Sequence, residues 1–363
     1  MTACYQPLLT KAPARLINAT GQPEFGLFTG SVPELALAEF DFRSVLDKPL
    51  GKLRCYFANK QFQFVTVSGK QWVDGQAKDW LLAVAIADVR YVSSGFVYLF
   101  QQDQQVFQHG ILRPLQLGCR MSLSPQRGAA SLQAGQRRWQ LEPQPTQWLV
   151  EIDCGPLQAS LVLHQAEPAV RLDSSTIASP QPPLALCAPT GYQGFTYTEK
   201  NNALAVSGQL SFSGHAIDLT QARAGYDFSA GFMRRQTNWR WSSINTLWQQ
   251  RPFGLNLAAG VNETGMTENA LWLDGRIQHL SPARFVFDRY QPDSRWHIST
   301  LCGELSLQFQ PLFCRQEKIQ TGLLASNFRQ YVGYYQGCVR LADGQQLELT
   351  QCLGLAEDHY AKW

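Results

Sequence analysis

The alternation of apolar and polar side chains with a period of two residues is the feature that most constrains this chain. Successive side chains of a β-strand point to opposite faces, so this alternation is typical of a strand with one buried face. The alternating segments are of strand length and are bounded by Gly, Pro, Asn, Asp or Ser: 61–67, 95–100, 148–152, 157–163, 204–212, 283–290 and 305–309. Helical periodicity is scarce, with candidates at 33–42 and 79–89, the second of which can equally be a buried strand. We therefore expect an all-β chain with few short helices.

Glycine-containing turns separate these segments, and the clearest is Asp343-Gly344 between 337–341 and 345–353. An Asp-Gly pair supplies the left-handed backbone that a tight hairpin requires. The pattern Trp-x-Asp-Gly occurs twice, at 72–75 and 272–275. It would fit a hairpin duplicated in two related domains, although so short a match can equally be a coincidence.

The length of the chain, 363 residues, favours two domains at roughly 100–200 residues each. Near mid-chain, the segment 179–189 is rich in proline, which lacks the N–H that a regular strand ladder needs. We place the boundary there, with one domain over 1–190 and the other over 191–363, to within about 30 residues.

Composition excludes several classes of protein. The formal net charge is 31 − 28 = +3, and the densest basic clusters are Arg137-Arg138 and Arg234-Arg235 with Arg240, which form no stripe, so we expect no nucleic-acid partner. The nine cysteines contain no C-x-x-C pair and are expected to be reduced thiols. Neither a basic leader nor a run of about 18 apolar residues is present, so we expect a cytoplasmic protein without a transmembrane segment. Transient contact with a membrane surface stays open.

Common catalytic signatures are missing from the sequence: there is no G-x-S-x-G elbow, no Walker loop, no G-x-G-x-x-G and no H-E-x-x-H. Five histidines, at 109, 164, 215, 279 and 297, show no paired spacing with other metal ligands. We therefore expect neither a metal nor a cofactor.

The densest unusual sequence lies in the C-terminal half, in the blocks 225–241, 254–262, 268–275 and 357–363. These blocks resemble the bacterial DUF2804 family, whose function is unknown. That family is similar to carotenoid 1,2-hydratases, tocopherol cyclases, pericyclase-type enzymes and a yeast sphingolipid-transfer factor. The resemblance implies two lipocalin-like, calycin-type antiparallel barrels in tandem. Because that group contains both catalysts and carriers, the fold does not choose between them.

The reactions of the hydratases and cyclases in this group require an acidic side chain in an apolar cavity. Hydration or cyclisation of an isoprenoid alkene needs an acid that protonates a carbon–carbon double bond, and aromatic faces that stabilise a carbocation. Burial raises the pKa of a carboxyl group and would keep such an acid protonated. The catalytic candidates are Asp227, Glu268 and His359. The candidates for ligand binding are Tyr226, Arg234, Arg235, Trp239, Trp241, Asn256, Asn269, Trp272 and Asp358.

Each catalytic candidate also has a structural interpretation. Asp227 can cap a turn or pair with Arg234 or Arg235. Glu268 and Asn269 can form a buried polar network that joins strands. His359, flanked by two acids, can serve as a C-terminal anchor.

Three functional hypotheses follow. The first is binding or carriage of a hydrophobic small molecule, a lipid or isoprenoid, in a barrel cavity or at the junction of the barrels. The alternative is a cofactor-independent hydratase, cyclase or isomerase that uses general-acid catalysis on an unsaturated substrate. The third is a structural or interaction protein with filled barrels.

Overall fold

Two mainly antiparallel sheets, each curled into a barrel, make up the architecture. The computed structural model describes residues 5–102, 106–165, 181–261, 265–322 and 324–363. The first sheet, which we call barrel 1, contains β1 (Leu9–Thr10), β2 (Gly26–Phe28), β3 (Asn59–Val73), β4 (Gln76–Asp88), β5 (Val92–Gln101), β6 (Phe107–Pro114), β7 (Cys119–Arg120), β8 (Ala130–Ala134), β9 (Arg137–Gln144), β10 (Gln147–Cys154), β11 (Leu157–His164), β12 (Leu184–Thr190), β13 (Gly194–Phe212), β14 (His215–Ala216) and β15 (Arg223–Phe232).

Barrel 2 is the second sheet. Its strands are β16 (Gln236–Trp248), β17 (Arg251–Ala259), β18 (Ala270–Leu273), β19 (Arg276–His279), β20 (Ala283–Val286), β21 (Trp296–Thr300), β22 (Leu305–Gln320), β23 (Ala325–Arg340) and β24 (Gln346–Lys362). Contacts between β4 and β8 close barrel 1, and contacts between β17 and β20 close barrel 2. The predicted all-β class and the lipocalin-like pair of barrels are confirmed.

Helical structure is confined, among the described residues, to α1 (Lys52–Ala58) and a 3₁₀ turn at Leu37–Glu39. The first helix candidate, 33–42, contains only that turn, because Ala36 before it takes a left-handed conformation with φ 49°. The second candidate, 79–89, lies almost wholly in β4, so its buried-strand interpretation is the one observed. The sequence analysis missed α1, which has no buried residue and thus no apolar stripe to recognise.

Tight hairpins occur at both Trp-x-Asp-Gly segments. Asp74 and Gly75 have φ 49° and 75°, and Asp274 and Gly275 have φ 51° and 72°. The tryptophans of the two segments differ in burial, since Trp72 is exposed whereas Trp272 is buried. The two hairpins therefore share a turn but not the packing of the tryptophan.

The chain passes from barrel 1 to barrel 2 between Phe232 and Gln236. The sequence analysis places the domain boundary near residue 190, which falls at the end of β12, inside the first sheet. The change of sheet does not fall at the proline-rich segment, because residues 184–189 of that segment belong to β12, which pairs with β13 in the first sheet. Residues 179 and 180 of that segment lie outside the described residues.

A carboxyl group is buried inside barrel 1. Glu199 on β13 accepts hydrogen bonds from the hydroxyls of Tyr197 at 2.8 Å and Tyr226 at 3.0 Å. The Tyr197 hydroxyl also accepts a hydrogen bond from the N–H of Val32, so the group fastens the N-terminal segment to the barrel. Burial raises the pKa of Glu199 to about 6.

This shift predicts how stability depends on pH. A carboxyl pKa that is higher in the folded state favours folding below the unfolded value of 4.5, and this contribution is lost as the pH rises through about 6. Glu199→Gln removes the titration, so we expect the stability of the variant relative to wild type to rise by about 2 kcal/mol between pH 4 and pH 8. Urea unfolding at both pH values measures the difference, and a difference that does not change with pH would contradict the prediction.

The barrels dock through an irregular point of β13. The register of β13 shifts between Asn201 and Leu204, and Ala203 has φ 63°. The Asn202 amide donates to Ser243 Oγ at 2.8 Å and to the Leu255 carbonyl at 3.0 Å, both in barrel 2. A β-bulge of one strand therefore forms a hydrogen-bonded contact between the barrels.

The bulge approaches barrel 2 where a glycine leaves room for it. A Cβ atom on Gly254 would lie 2.6 Å from Asn202 Cβ and 2.9 Å from Ala203 N. Gly254→Ala should lower the free energy of unfolding by about 1–3 kcal/mol, since the backbone of the bulge must move. Gly30→Ala is the matched control, because a Cβ at Gly30 meets nothing within 4 Å. Denaturant midpoints of both variants check this, and equal midpoints would show that the close approach is unimportant.

No helix among the described residues is long and apolar enough to cross a membrane. The cysteines of the same residues are free thiols, and Cys4 lies outside them.

Candidate functional site

A row of cross-strand neighbours on the outer face of barrel 1 turns toward barrel 2. It runs across β13, β15, β3, β4 and β5 through Lys200, Asp227, Phe64, Ala85 and Phe96. Side chains directly opposite each other on neighbouring strands share one face. The row therefore places an ammonium and a carboxylate beside two aromatic rings separated by a small residue.

Barrel 2 presents two matching rows. One contains Trp241, Glu357 and Gln330 on β16, β24 and β23, and the other contains Trp239, His359 and Phe328 on the same strands. The rows of the two barrels meet through ring contacts: Phe64 to Trp241 and Phe96 to Phe328, each with 5.5 Å between ring centroids. Tyr98 adds a hydrogen bond from its hydroxyl to Gln330 Oε1 at 2.7 Å.

Between these rows lies what we call the inter-barrel crevice. Its aromatic walls are Phe62, Phe64, Phe96, Trp239, Trp241 and Phe328, and its small residues are Ala85, Ala87, Ser94, Ser229 and Ala258. The small residues all stay partly exposed although they belong to faces that the other barrel covers. Their partial exposure shows that the two faces do not pack completely between the aromatic rings, and incompletely packed, mainly apolar surfaces are where small molecules bind.

One charged group of the crevice centres on Lys200. Lys200 is 3% exposed, and its ammonium donates to Asp227 and lies 3.4 Å from Glu268 Oε2. Burial lowers the pKa of Lys200, but Asp227 and Glu268 outweigh that effect and raise it above its ordinary value. Thr198 and Ser229 also donate to Asp227, at 3.5 and 3.1 Å. Lys200 is therefore a buried cation, and Asp227 is an anion held by it with about a quarter of its side chain exposed to the crevice.

A second carboxyl, Glu357, has different surroundings. It is 6% exposed and accepts hydrogen bonds from the Trp239 indole and the Gln330 amide, both at 2.8 Å. Its nearest ionisable neighbour is His359, whose Nδ1 lies 3.7 Å away. Within the described ranges Glu357 has no lysine or arginine at ion-pair distance. Asp227 and Glu357 thus lie in differently charged surroundings.

The ring of His359 is held in place through Nε2, the nitrogen that faces away from Glu357. Nε2 lies 3.0 Å from Ser326 Oγ, whereas Nδ1 is buried without a hydrogen-bond partner. The ring packs against Trp239, with 4.3 Å between centroids. A buried nitrogen without a partner beside a carboxyl is available to a ligand or to a proton.

Asn256 positions two parts of the site. Its Oδ1 accepts a hydrogen bond from the Trp241 indole at 2.7 Å, and its Nδ2 donates to the Glu268 carbonyl at 2.5 Å. Asn269, in contrast, joins segments of barrel 2, since it accepts from the Ala258 N–H and donates to the Ser281 carbonyl. Asn256 therefore belongs to the crevice, and Asn269 supports the loop that carries Glu268.

Other residues singled out by sequence lie elsewhere. Tyr226 points into barrel 1 with Glu199, because it alternates with Asp227 along β15. Trp272 is fully buried and donates to the Pro182 carbonyl at 3.0 Å, which fastens β18 to the segment before β12. Asp358 points away from Glu357 and pairs with Arg289 and Arg240.

Arg234 and Arg235 lie at the end of the crevice. Arg234 donates to the Gly260 carbonyl at 2.9 Å, and its own carbonyl accepts from the Trp363 indole. The Arg235 carbonyl accepts from the Trp363 N–H. Asp227 takes Lys200 as its cation, a pairing that the sequence analysis did not consider.

Sequence reasoning missed Lys200 and Glu357 as site residues. Lys200 lies 27 residues before Asp227, and only the pairing of β13 with β15 makes them neighbours. A signal for Glu357 was present, because residues two apart in a strand share a face and Glu357 stands two before His359. Among the described residues, no three His, Cys, Asp or Glu side chains lie together in a way that could hold a metal ion.

Comparison with protein families is decisive over nearly the whole chain. Residues 8–363 match the domain of unknown function DUF2804. The chain belongs to the DUF2804 family. No curated protein matches this DUF2804 member in sequence.

Solved structures with the same fold are distant in sequence. CghA crystallised with Sch210972 is 10% identical, with a TM-score of 0.52, and the match covers 97% of each chain. Another crystal structure of CghA is 9% identical, with a TM-score of 0.51, over 93% of the DUF2804 chain and 98% of CghA. Kievitone hydratase from Nectria haematococca is 9% identical over 83% of this chain and 88% of its own, and its TM-score of 0.49 is too low to support an argument. At these identities the likeness to CghA establishes the fold alone.

The buried Lys200 group gives a prediction for stability. Lys200→Met leaves the carboxylates of Asp227 and Glu268 without their shared cation, and we expect a loss of about 3–5 kcal/mol in the free energy of unfolding. The double variant Lys200→Met/Glu268→Gln should recover part of that loss. Lys70→Met is the control, because Lys70 is half exposed in its pair with Asp79 and the pair should be worth under about 1 kcal/mol. Equal effects of Lys200→Met and Lys70→Met in urea unfolding would refute the assignment.

Proposed function

We propose that the protein is a cofactor-independent enzyme that transfers protons on an unsaturated, mainly apolar small molecule bound in the inter-barrel crevice. Hydratase, cyclase and isomerase reactions share this chemistry. The observation that carries the proposal is that Glu357 and Asp227 both lie in an aromatic crevice but have different partners. Asp227 is paired with the ammonium of Lys200, whereas Glu357 accepts a hydrogen bond from the neutral indole of Trp239. When the surroundings of two carboxyl groups differ in this way, one group can serve as the acid and the other as the base.

Glu357 is the candidate acid. Its hydrogen-bond partners are a neutral indole and a neutral amide, and the imidazole of His359 lies close enough to pass a proton to it. In the first step Glu357 gives its proton to one carbon of a double bond, and the π-electron pair of that bond forms the new C–H bond. Positive charge then develops on the neighbouring carbon, where the faces of Trp239, Trp241 and Phe64 can stabilise it.

Asp227 is the candidate base. Its carboxylate is held in place by Lys200, Thr198 and Ser229 and stays partly open to the crevice. It accepts a proton from the carbon next to the cation, which gives an isomer, or from a water molecule that adds to the cation, which gives a hydrate. Proton exchange with solvent, for which the free Nδ1 of His359 offers a route, then restores both carboxyl groups.

Carriage of a hydrophobic molecule, the first hypothesis from sequence, is supported less well. A carrier needs apolar walls, whereas buried charged groups are costly to maintain in such a place. Lys200, Glu268 and Glu357 are each at most 6% exposed in the crevice region. The fold is shared with CghA, whose crystal structure contains Sch210972, and this supports the binding of a small molecule.

Deuterium incorporation tests the proposal. The purified protein is incubated in D₂O with a lipid extract of the cells that naturally make it, and products are analysed by mass spectrometry. We expect wild type to place solvent deuterium on carbon in an unsaturated component. Asp227→Asn and Glu357→Gln should each lower the rate by about 10²–10⁴-fold, which is typical of the loss of a general base or acid.

Asp153→Asn is the matched control, since Asp153 is an exposed aspartate on β10 of barrel 1, and it should keep the wild-type rate. A component that co-purifies with the protein but never acquires deuterium would overturn the enzyme proposal in favour of carriage. Incorporation that survives in both Asp227→Asn and Glu357→Gln would move the chemistry away from the crevice.

A further inference from the structure

A second concave surface lies beyond the end of the crevice. It has a volume of about 730 Å³ and runs between α1 with the segment before it, the turn between β12 and β13, and the connection from β15 to β16. We call it the basic groove. Its walls include the apolar residues Val45, Leu53 and Phe57, and Trp363 lies at its border with the crevice.

The charged side chains that line the groove are all cationic. Four cationic side chains line it, those of Arg54, Lys60, Arg234 and Arg235, and none of its lining residues is Asp or Glu. Clustered cations in a concave, partly apolar surface raise the local concentration of anions.

Lys60 shows that this charge is not fully compensated. It is 2% exposed, and its ammonium donates to the carbonyls of Phe57 and, at 3.0 Å, Val89. An ammonium has three donors, so one donor remains after these bonds. Within the part of the chain that the structure describes, no carboxylate lies at ion-pair distance from Lys60. Burial, together with the nearby positive charge of Arg90 and Arg235, lowers the pKa of Lys60 to about 8, and Asp88 partly opposes this shift.

The other half of the groove is apolar and uncovered. Val45 and Leu53 are 67% and 71% exposed, and α1 has no buried residue although it carries Leu53 and Phe57. Phe57 stacks on Tyr91, with 4.5 Å between ring centroids, next to Lys60. Apolar side chains left open beside a buried cation match a molecule with an anionic head and an apolar tail.

We infer that the basic groove binds a free single-chain amphiphile with a carboxylate head, seated between Lys60, Arg54 and Arg235, with its tail along Val45, Leu53 and Phe57. The site is separate from the proposed catalytic crevice. Trp363 is the wall between them, since it lines the groove and packs on Phe62 of the crevice, with 5.5 Å between ring centroids. The inference does not depend on whether the crevice catalyses a reaction.

Titration with dodecanoate, followed by calorimetry below its micelle concentration, tests the site directly. We expect one saturable site per chain for wild type and at least tenfold weaker binding of dodecanol, which has the same tail without the charge. Arg54→Gln/Arg235→Gln should weaken dodecanoate binding at least tenfold, and both substituted side chains are exposed, so the fold should survive. Leu53→Ser should weaken dodecanoate and dodecanol alike, because it removes only a contact with the tail.

Arg120→Gln is the charge control, because Arg120 is exposed on β7, outside the groove. It should bind as wild type does. Equal affinity for dodecanoate and dodecanol, or dodecanoate affinity unchanged in Arg54→Gln/Arg235→Gln, would overturn the proposal. Co-sedimentation with phosphatidylglycerol vesicles without saturable dodecanoate binding would also overturn it, because it would assign the groove to a lipid surface. None of these outcomes bears on deuterium incorporation in the crevice, so the two proposals can fail independently.

Discussion

The docking of the β13 bulge onto barrel 2 is the contact on which the rest of the structure depends. Before the bulge, Phe195, Tyr197 and Glu199 point into barrel 1, and after it Leu204 and Leu210 do. The extra residue of the bulge therefore switches which side chains of β13 point into barrel 1. The switch occurs where the Asn202 side chain and the Ala203 N–H donate hydrogen bonds to barrel 2. Because the bulge changes the direction of the side chains, a strand of 19 residues can contribute both to the core of barrel 1 and to the junction with barrel 2.

The same strand explains why the junction carries charge. Between its inward residues, β13 must direct Thr198, Lys200 and Asn202 at barrel 2, and a buried ammonium is tolerated there because Asp227 and Glu268 compensate it. The carboxylates of Asp227 and Glu268 are both held against this ammonium at one end of the crevice. Carboxylates fixed near a bound substrate would stabilise a cation that develops on it, which connects a feature of docking to the proposed chemistry.

Strand alternation and turn chemistry were enough to predict the class of fold. Segments such as 61–67 and 305–309 lie in β3 and β22, and the Asp-Gly turns form hairpins at 74–75 and 274–275, because both signals are local. Sequence was less informative at α1, which has no fully buried side chain and so leaves no apolar stripe with a helical period. The point at which the chain changes sheet was also hidden, since β15 and β16 are separated by three residues without a composition break.

The site was predictable only in part, for a physical reason. Trp239, Trp241, Asp227 and His359 do line the crevice, but the partner of each depends on strands far apart in sequence. Lys200 meets Asp227 through one strand pair, whereas it meets Glu268 only because the barrels dock. In the same way, the carboxyl group near the His359 ring is that of Glu357, which shares its face of the sheet. Asp358, its neighbour in sequence, points to the other face and pairs with Arg289. Local alternation says which residues share a face, but the charge balance of that face is decided by the surface packed against it.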